Sequence, residues 1–282
     1  MDDVVDKESL ELFDRFIGRT LEADEVNRQL TRFARQFGAR VVGAHQITCS
    51  DESERECVES FHEHFVRRLL PELKYWSRSS FRTANLGGRY EAGSLDIAED
   101  HYSTPRAEGG TKLLVTKVSS HVSLDESALP VRYGRLDRYE RDSIYCGALH
   151  AVMEGESEVP AFTEIAQLLG KDSVDRLATL RDPDVVDPIQ RALFAAICHA
   201  QLQGERVVDE ACTLRPNTPT VFLVVAAVTL NRTDKDLELT CARWLVDRRG
   251  GRALVGHRGL GTAPESYRVA EDGPRLTIET RG

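Results

Sequence analysis

The amino-acid sequence predicts an α+β fold, with helical segments alternating with two strand-rich segments whose strands join one mainly antiparallel sheet covered by helices. Three observations carry this expectation. Apolar residues recur at helical spacing through the first 75 residues. The run Thr111 to Leu124 is rich in Val, Leu, Thr and Ser, as strands are. The stretch Thr220 to Leu230 is nearly all apolar and is followed by shorter strand-like runs set off by glycine and polar residues. Helices and strands come in separate runs rather than in regular alternation, which favours α+β over a doubly wound α/β fold, with the helices on one face of the sheet.

Each element has a local reason. Val26, Leu30, Phe33, Ala34 and Phe37 form one helical stripe, and Gly38 is its stop. A short strand is expected over Arg40 to Ile47. A helix then follows Ser50 or Asp51, with Val58, Phe61, Phe65, Leu69 and Leu70 as its apolar face. Residues Phe81 to Leu124 read mainly as strands. Helices return over Asp142 to Met153, Ala161 to Leu169, Ser173 to Leu180, and from Asp187-Pro188 through Leu202. The last 65 residues read as a meander. Thr220 to Leu230 is its central strand, buried on both faces, and Leu237 to Asp247 pairs with it. Gly250-Gly251 turns into Arg252 to His257, and Ser266 to Ala270 and Leu276 to Thr280 close the sequence. Without a Pro/Gly/Ser-rich linker, the expectation is one unit over 1–282, the alternative being α+β halves over 1–137 and 138–282.

Composition excludes some classes of function. The 282 residues are 41% hydrophobic, enough for a sizeable core. The net charge is −9, with basic and acidic residues interspersed, so nucleic acid and anionic membrane are not expected partners. Six irregularly spaced cysteines without a Cys-x-x-Cys pair, an acidic N-terminus and no long apolar stretch point to the cytoplasm and reduced thiols.

Four constellations carry chemistry. Alternation along Thr111–Leu124 puts Lys117, Ser119 and His121 in one row, with neighbours roughly 7 Å apart. Such a row offers an anionic ligand a cation, a hydroxyl and a general base. A strand with one solvent-facing side carries the same residue types. Asp142, Cys146 and His150 lie along one stripe of a helix, with Cys146 near its positive end, the setting of a reactive thiol. Packing of Cys146 as a small apolar residue is the structural alternative. The turn containing Gly87, Gly88 and Arg89 could lay backbone amides and a guanidinium against a phosphate or other anion, though turns between strands use the same glycines. His62 and His64 are two apart, which on a helix separates them by about 200°, and the spacing of a His-Glu-x-x-His zinc site is absent, so no metal is assigned.

No motif is specific to one reaction, and no cofactor is implied. The reading that unites the candidates is a small-molecule binding protein for an anionic ligand, with the groups of an enzyme on a Lys/Ser/His strand face. The alternative is a non-catalytic interaction or scaffold protein that works as an oligomer or in a partner complex and shows an apolar surface patch.

Overall fold

A computed structural model describes residues 16–39, 41–50, 55–65, 80–102, 110–123, 188–231, 236–249, 253–259 and 265–268. The elements are β1 (Thr20–Glu22), α1 (Ala23–Gln36), β2 (Val41–Cys49), α2 (Arg55–His62), β3 (Phe81–Asn85), a 3-10 turn at Leu86–Gly88, α3 (Ser94–His101), β4 (Lys112–Ser123), α4 (Pro188–Thr213), β5 (Thr220–Asn231), β6 (Asp236–Asp247), β7 (Leu254–Gly259) and β8 (Glu265–Arg268).

The strands form one eight-stranded sheet in the order β3-β2-β4-β5-β6-β7-β8, with β1 paired beside the first residues of β6. Strands from both strand-rich segments therefore share a sheet, as expected. Its direction differs from the expectation. β3, β2, β4 and β5 are parallel, and only from β5 onward, and at β1, does the sheet become antiparallel. Parallel neighbours need a crossover, and the crossovers are helical: α2 lies between β2 and β3, α3 between β3 and β4, and α4 between β4 and β5. One part of the chain is thus α/β in character. It was hidden from sequence because α3 is only eight residues long and sits inside a stretch that otherwise reads as strand.

Helices cover both faces of the sheet, not one. Leu30 and Phe33 of α1, with Phe61 and Phe65 at α2, pack on Leu113, Val115 and Leu223. On the other face Leu95 and Ala98 of α3, with Ala196 and Ala200 of α4, pack on Leu114 and Val118. β5 is accordingly buried along its whole length, as a central parallel strand should be. The expectations for α1, β2, α2, β5 and β6 hold, with boundaries shifted by a few residues. α4 runs eleven residues beyond Leu202. The expected helices between 142 and 180 and the strand at Leu276 to Thr280 lie outside the described residues. Among the described residues no helix is long and apolar enough to cross a membrane.

One irregularity positions polar groups. Between β5 and β6 the register shifts: Ala226 pairs with Ala242, but Ala227 pairs with Thr240. Cys241 is the extra residue of a bulge. Ala242 and Trp244 face the α4 side, and unbroken alternation would send Thr240 and Glu238 there too. The bulge turns them to the α1 side, where Glu238 meets Lys117.

Candidate functional site

The order of the parallel strands defines a place on the molecule. From β2 the chain steps to one side to make β3, then returns across β2 to make β4 on the other side. The two crossings use opposite faces, α2 with α1 and α3 with α4. In open α/β sheets a crevice for ligands lies outside the carboxyl ends of the strands, where this reversal occurs. Here those ends are Cys49 of β2 and the Ser119–Ser123 end of β4.

The turn Leu86–Gly88 folds over that point. Gly87 donates its backbone N–H to Cys49 Sγ over 3.3 Å. Gly88, at φ 69°, lies so close to β4 that a Cβ there would stand 2.1 Å from the Ser119 carbonyl oxygen. Only glycine fits that approach. Arg89 follows on the exposed side, and its carbonyl accepts a hydrogen bond from Asn85 Nδ2 at 3.1 Å.

From α4 the imidazole of His199 reaches the same point. It is buried and within electrostatic reach of the Gly87 backbone and Cys49, and neither ring nitrogen has a hydrogen-bond partner among the described residues. Burial lowers its pKa to about 4, so the ring is neutral at physiological pH. A neutral imidazole can take or return a proton. The neighbouring Cys198 is buried, and burial pushes its thiol up to about 12, which marks it as inert. Cysteine and histidine are also zinc's ligand types, but among the described residues no group of three or more His, Cys, Asp and Glu is placed to hold a metal ion.

The Lys117, Ser119, His121 row lies on the α1 face of β4. Alternation is as expected, and the whole row is buried, at 2%, 1% and 2% exposure. Lys117 pairs with Glu238, donates to Asn27 Oδ1 at 3.3 Å and stands 5.7 Å from the centre of the Phe61 ring. Its charge is therefore matched inside the protein. Register puts His121, Thr229 and Glu238 side by side across β4, β5 and β6. Thr229 and Thr240 are fully buried, and neither hydroxyl has a hydrogen-bond partner among the described residues. The row is thus part of a buried polar face that ends at the same carboxyl edge as Cys49.

The structure brings Gly88 against the Ser119 carbonyl and Gly87 to the Cys49 sulfur. Cys146 and His150 lie outside the described residues. Of the paired histidines, His62 is half-buried while His64 is buried, its Nε2 lying 2.6 Å from Asp24 Oδ1. Two groups at the crevice were missed from sequence. Cys49 was read only as one of six irregular thiols, although it ends a strand and is followed by Ser-Asp. His199, Gln203, Arg206 and Glu210 share one stripe of α4, a polar signal hidden among apolar residues.

The fold is thus a mixed α/β sheet with helices on both faces and a reversal of strand order at β2. No protein-family model matches the chain, and neither does any curated protein sequence. Solved structures are similar to it. One is PtLCIB4, described as a homolog of the limiting CO2-inducible protein LCIB. It superposes with a TM-score of 0.54 at 18% identity, covering 86% of this chain and 97% of the other. A histidine-to-alanine variant of the same protein gives 0.54 at 17% identity, over 87% and 96% of the two chains. A serine-to-arginine variant gives 0.50 at 15% identity, over 87% and 99%. At these identities the likeness is one of fold.

Proposed function

We propose that this chain binds a small anionic molecule in the crevice outside the carboxyl ends of β2 and β4, with groups at hand for proton transfer to it. The observation that supports the reading is the reversal of strand order at β2, beside which the Gly87 turn is bonded to Cys49. The exposed guanidinium of Arg89, at the edge of the glycine turn, is the anion-binding group. Neutral His199 is the proton acceptor and Cys49 the nucleophile or donor. The row from Lys117 to His121 acts from beneath: Lys117 with Glu238 fixes the strand, and Ser119 and His121 contribute at its carboxyl edge.

The name of the similar structures, which refers to limiting CO2, makes bicarbonate the first anion to test. Calorimetric titration of the full-length protein with bicarbonate, chloride and sulfate examines the proposal. Bicarbonate should bind saturably, and His199→Ala and Cys49→Ala should each weaken it by at least about tenfold, or about 1.4 kcal/mol. Equal affinity in the wild type and both folded variants would remove these residues from the site. No binding of any of the three anions at millimolar concentration would remove the reading.

A further inference from the structure

We infer that Gln203 and Glu210 of α4 are positioning residues that hold the Gly87 amide on Cys49 by clamping the chain from Arg89 to Asp96. The inference rests on the reading of the Cys49 crevice as the functional site.

Gln203 and Glu210 of α4 bond to this segment, and with His199 and Arg206 they fall within about 60° of one another on a helix with 3.6 residues per turn. His199 stands at the crevice. One turn on, buried Gln203 accepts the Tyr90 backbone N–H through Oε1 at 2.8 Å. Two further turns on, the Glu210 carboxylate takes three donors: Tyr90 Oη at 2.5 Å, the Gly93 N–H at 2.8 Å and the Asp96 N–H at 3.0 Å. The Tyr90 hydroxyl in turn accepts the Leu95 N–H at 3.3 Å.

These bonds do two things. α3 has Gly93 as its N-cap and no side-chain cap of its own, so Glu210 supplies, from another helix, the acceptor and negative charge that a helix start needs. They also anchor Tyr90, two residues after Gly88. Two residues of chain span at most about 7 Å. With Gly88 pressed on Ser119 and Tyr90 tied to Gln203 and Glu210, the Gly87 N–H has little room to leave the sulfur. The turn is thus held at both ends, by β4 and by α4, and α4 carries both the clamp and His199. Burial and the Glu210 carboxylate also push the Tyr90 hydroxyl well above its ordinary value, keeping it a donor at any working pH.

Amide hydrogen exchange, read by NMR on the full-length protein, tests this at Gly87 itself. In the wild type, Gly87, Tyr90 and Gly93 should open as one unit, with the same exchange free energy. In Gln203→Leu and in Glu210→Ala, exchange at Gly87 should speed by at least about tenfold and its amide proton should shift. Glu210→Gln, which keeps one acceptor, should preserve most of the protection. Val26→Ala, which loosens the core on the opposite face, should leave Gly87 where it is relative to the rest of the protein. The inference fails if Gly87 opens independently of Tyr90 and Gly93 in the wild type. This arm needs no variant to fold. It fails equally if Gly87 is unmoved in both clamp variants, or if Val26→Ala moves it as much as they do. The ligand reading is tested separately on wild-type protein: a clamp without anion binding would retire the proposed function and leave the coupling standing. Anion binding with an unclamped Gly87 would do the reverse.

Discussion

The amide of Gly87 donates to the sulfur of Cys49 over 3.3 Å, across 38 residues of sequence. The bond joins the turn after β3 to the last residue of β2, and it exists because Gly88 has no side chain to hold the turn away from β4.

Replacing Gly88 by alanine should therefore be among the most damaging single changes in this region. The new Cβ meets a backbone oxygen that has no rotamer to escape to, in addition to the left-handed φ. A loss above about 2 kcal/mol is expected. Gly93 is also left-handed, at φ 88°, but a Cβ there meets nothing within 4 Å. Gly93→Ala should cost about 1 kcal/mol, the backbone strain alone. Urea denaturation of both variants checks the order.

Lys117 and Glu238 form a buried pair reached only because the bulge at Cys241 turns Glu238 to the α1 face. Glu238→Ala leaves the ammonium buried without its carboxylate and should cost about 3–5 kcal/mol. The double variant Lys117→Met, Glu238→Leu should recover most of that loss. Equal destabilisation by the single and double variants in a denaturant series would show that the pair is not the source of the cost.

Among the described residues, His45, His199 and Glu205 together should make stability rise with pH between about 5 and 6. Burial lowers His45 to about 3 and His199 to about 4. Both bind protons only after unfolding, so their contribution is present above about 6.5 and is lost as pH falls through the folded values. Burial chiefly, then Asp209, raises Glu205 to about 7. Its contribution has the opposite sign: present below the unfolded value of 4.5 and lost as pH rises through 7. In that window these groups give a net uptake of about one proton on unfolding, or about 1.4 kcal/mol per pH unit. Glu205→Gln should raise the slope to about two protons, and a slope unchanged in that variant would contradict the assignment.

The parts of this fold that were legible in the sequence were those with a strong period and a firm stop. The stripe from Val26 to Phe37 ended by Gly38 gave α1, and the uniformly apolar run at Val221 gave a strand buried on both faces. The alternation along β4 was also right, since Leu113 and Val115 pack on one side of the sheet and Leu114 and Val118 on the other. Strand direction was not legible, because it depends on which side of the sheet a crossover takes, and α3 was too short to announce a crossover. Nor could the sequence tell that both faces of β4 would be covered, so Lys117 looked like a free cation when it is half of a buried pair. Cys49 and His199, 150 residues apart, come within electrostatic reach only through the tertiary fold.

The most direct test of the central claim uses protein labelled with 15N-glycine and titrated with bicarbonate. The amide resonances of Gly87 and Gly88 should move saturably, while those of Gly38 and Gly256, where nothing lies within 4 Å of an added Cβ, should stay in place. Gly87 and Gly88 unmoved at saturating bicarbonate, or all four glycines drifting together, would contradict an anion site at the β2–β4 reversal.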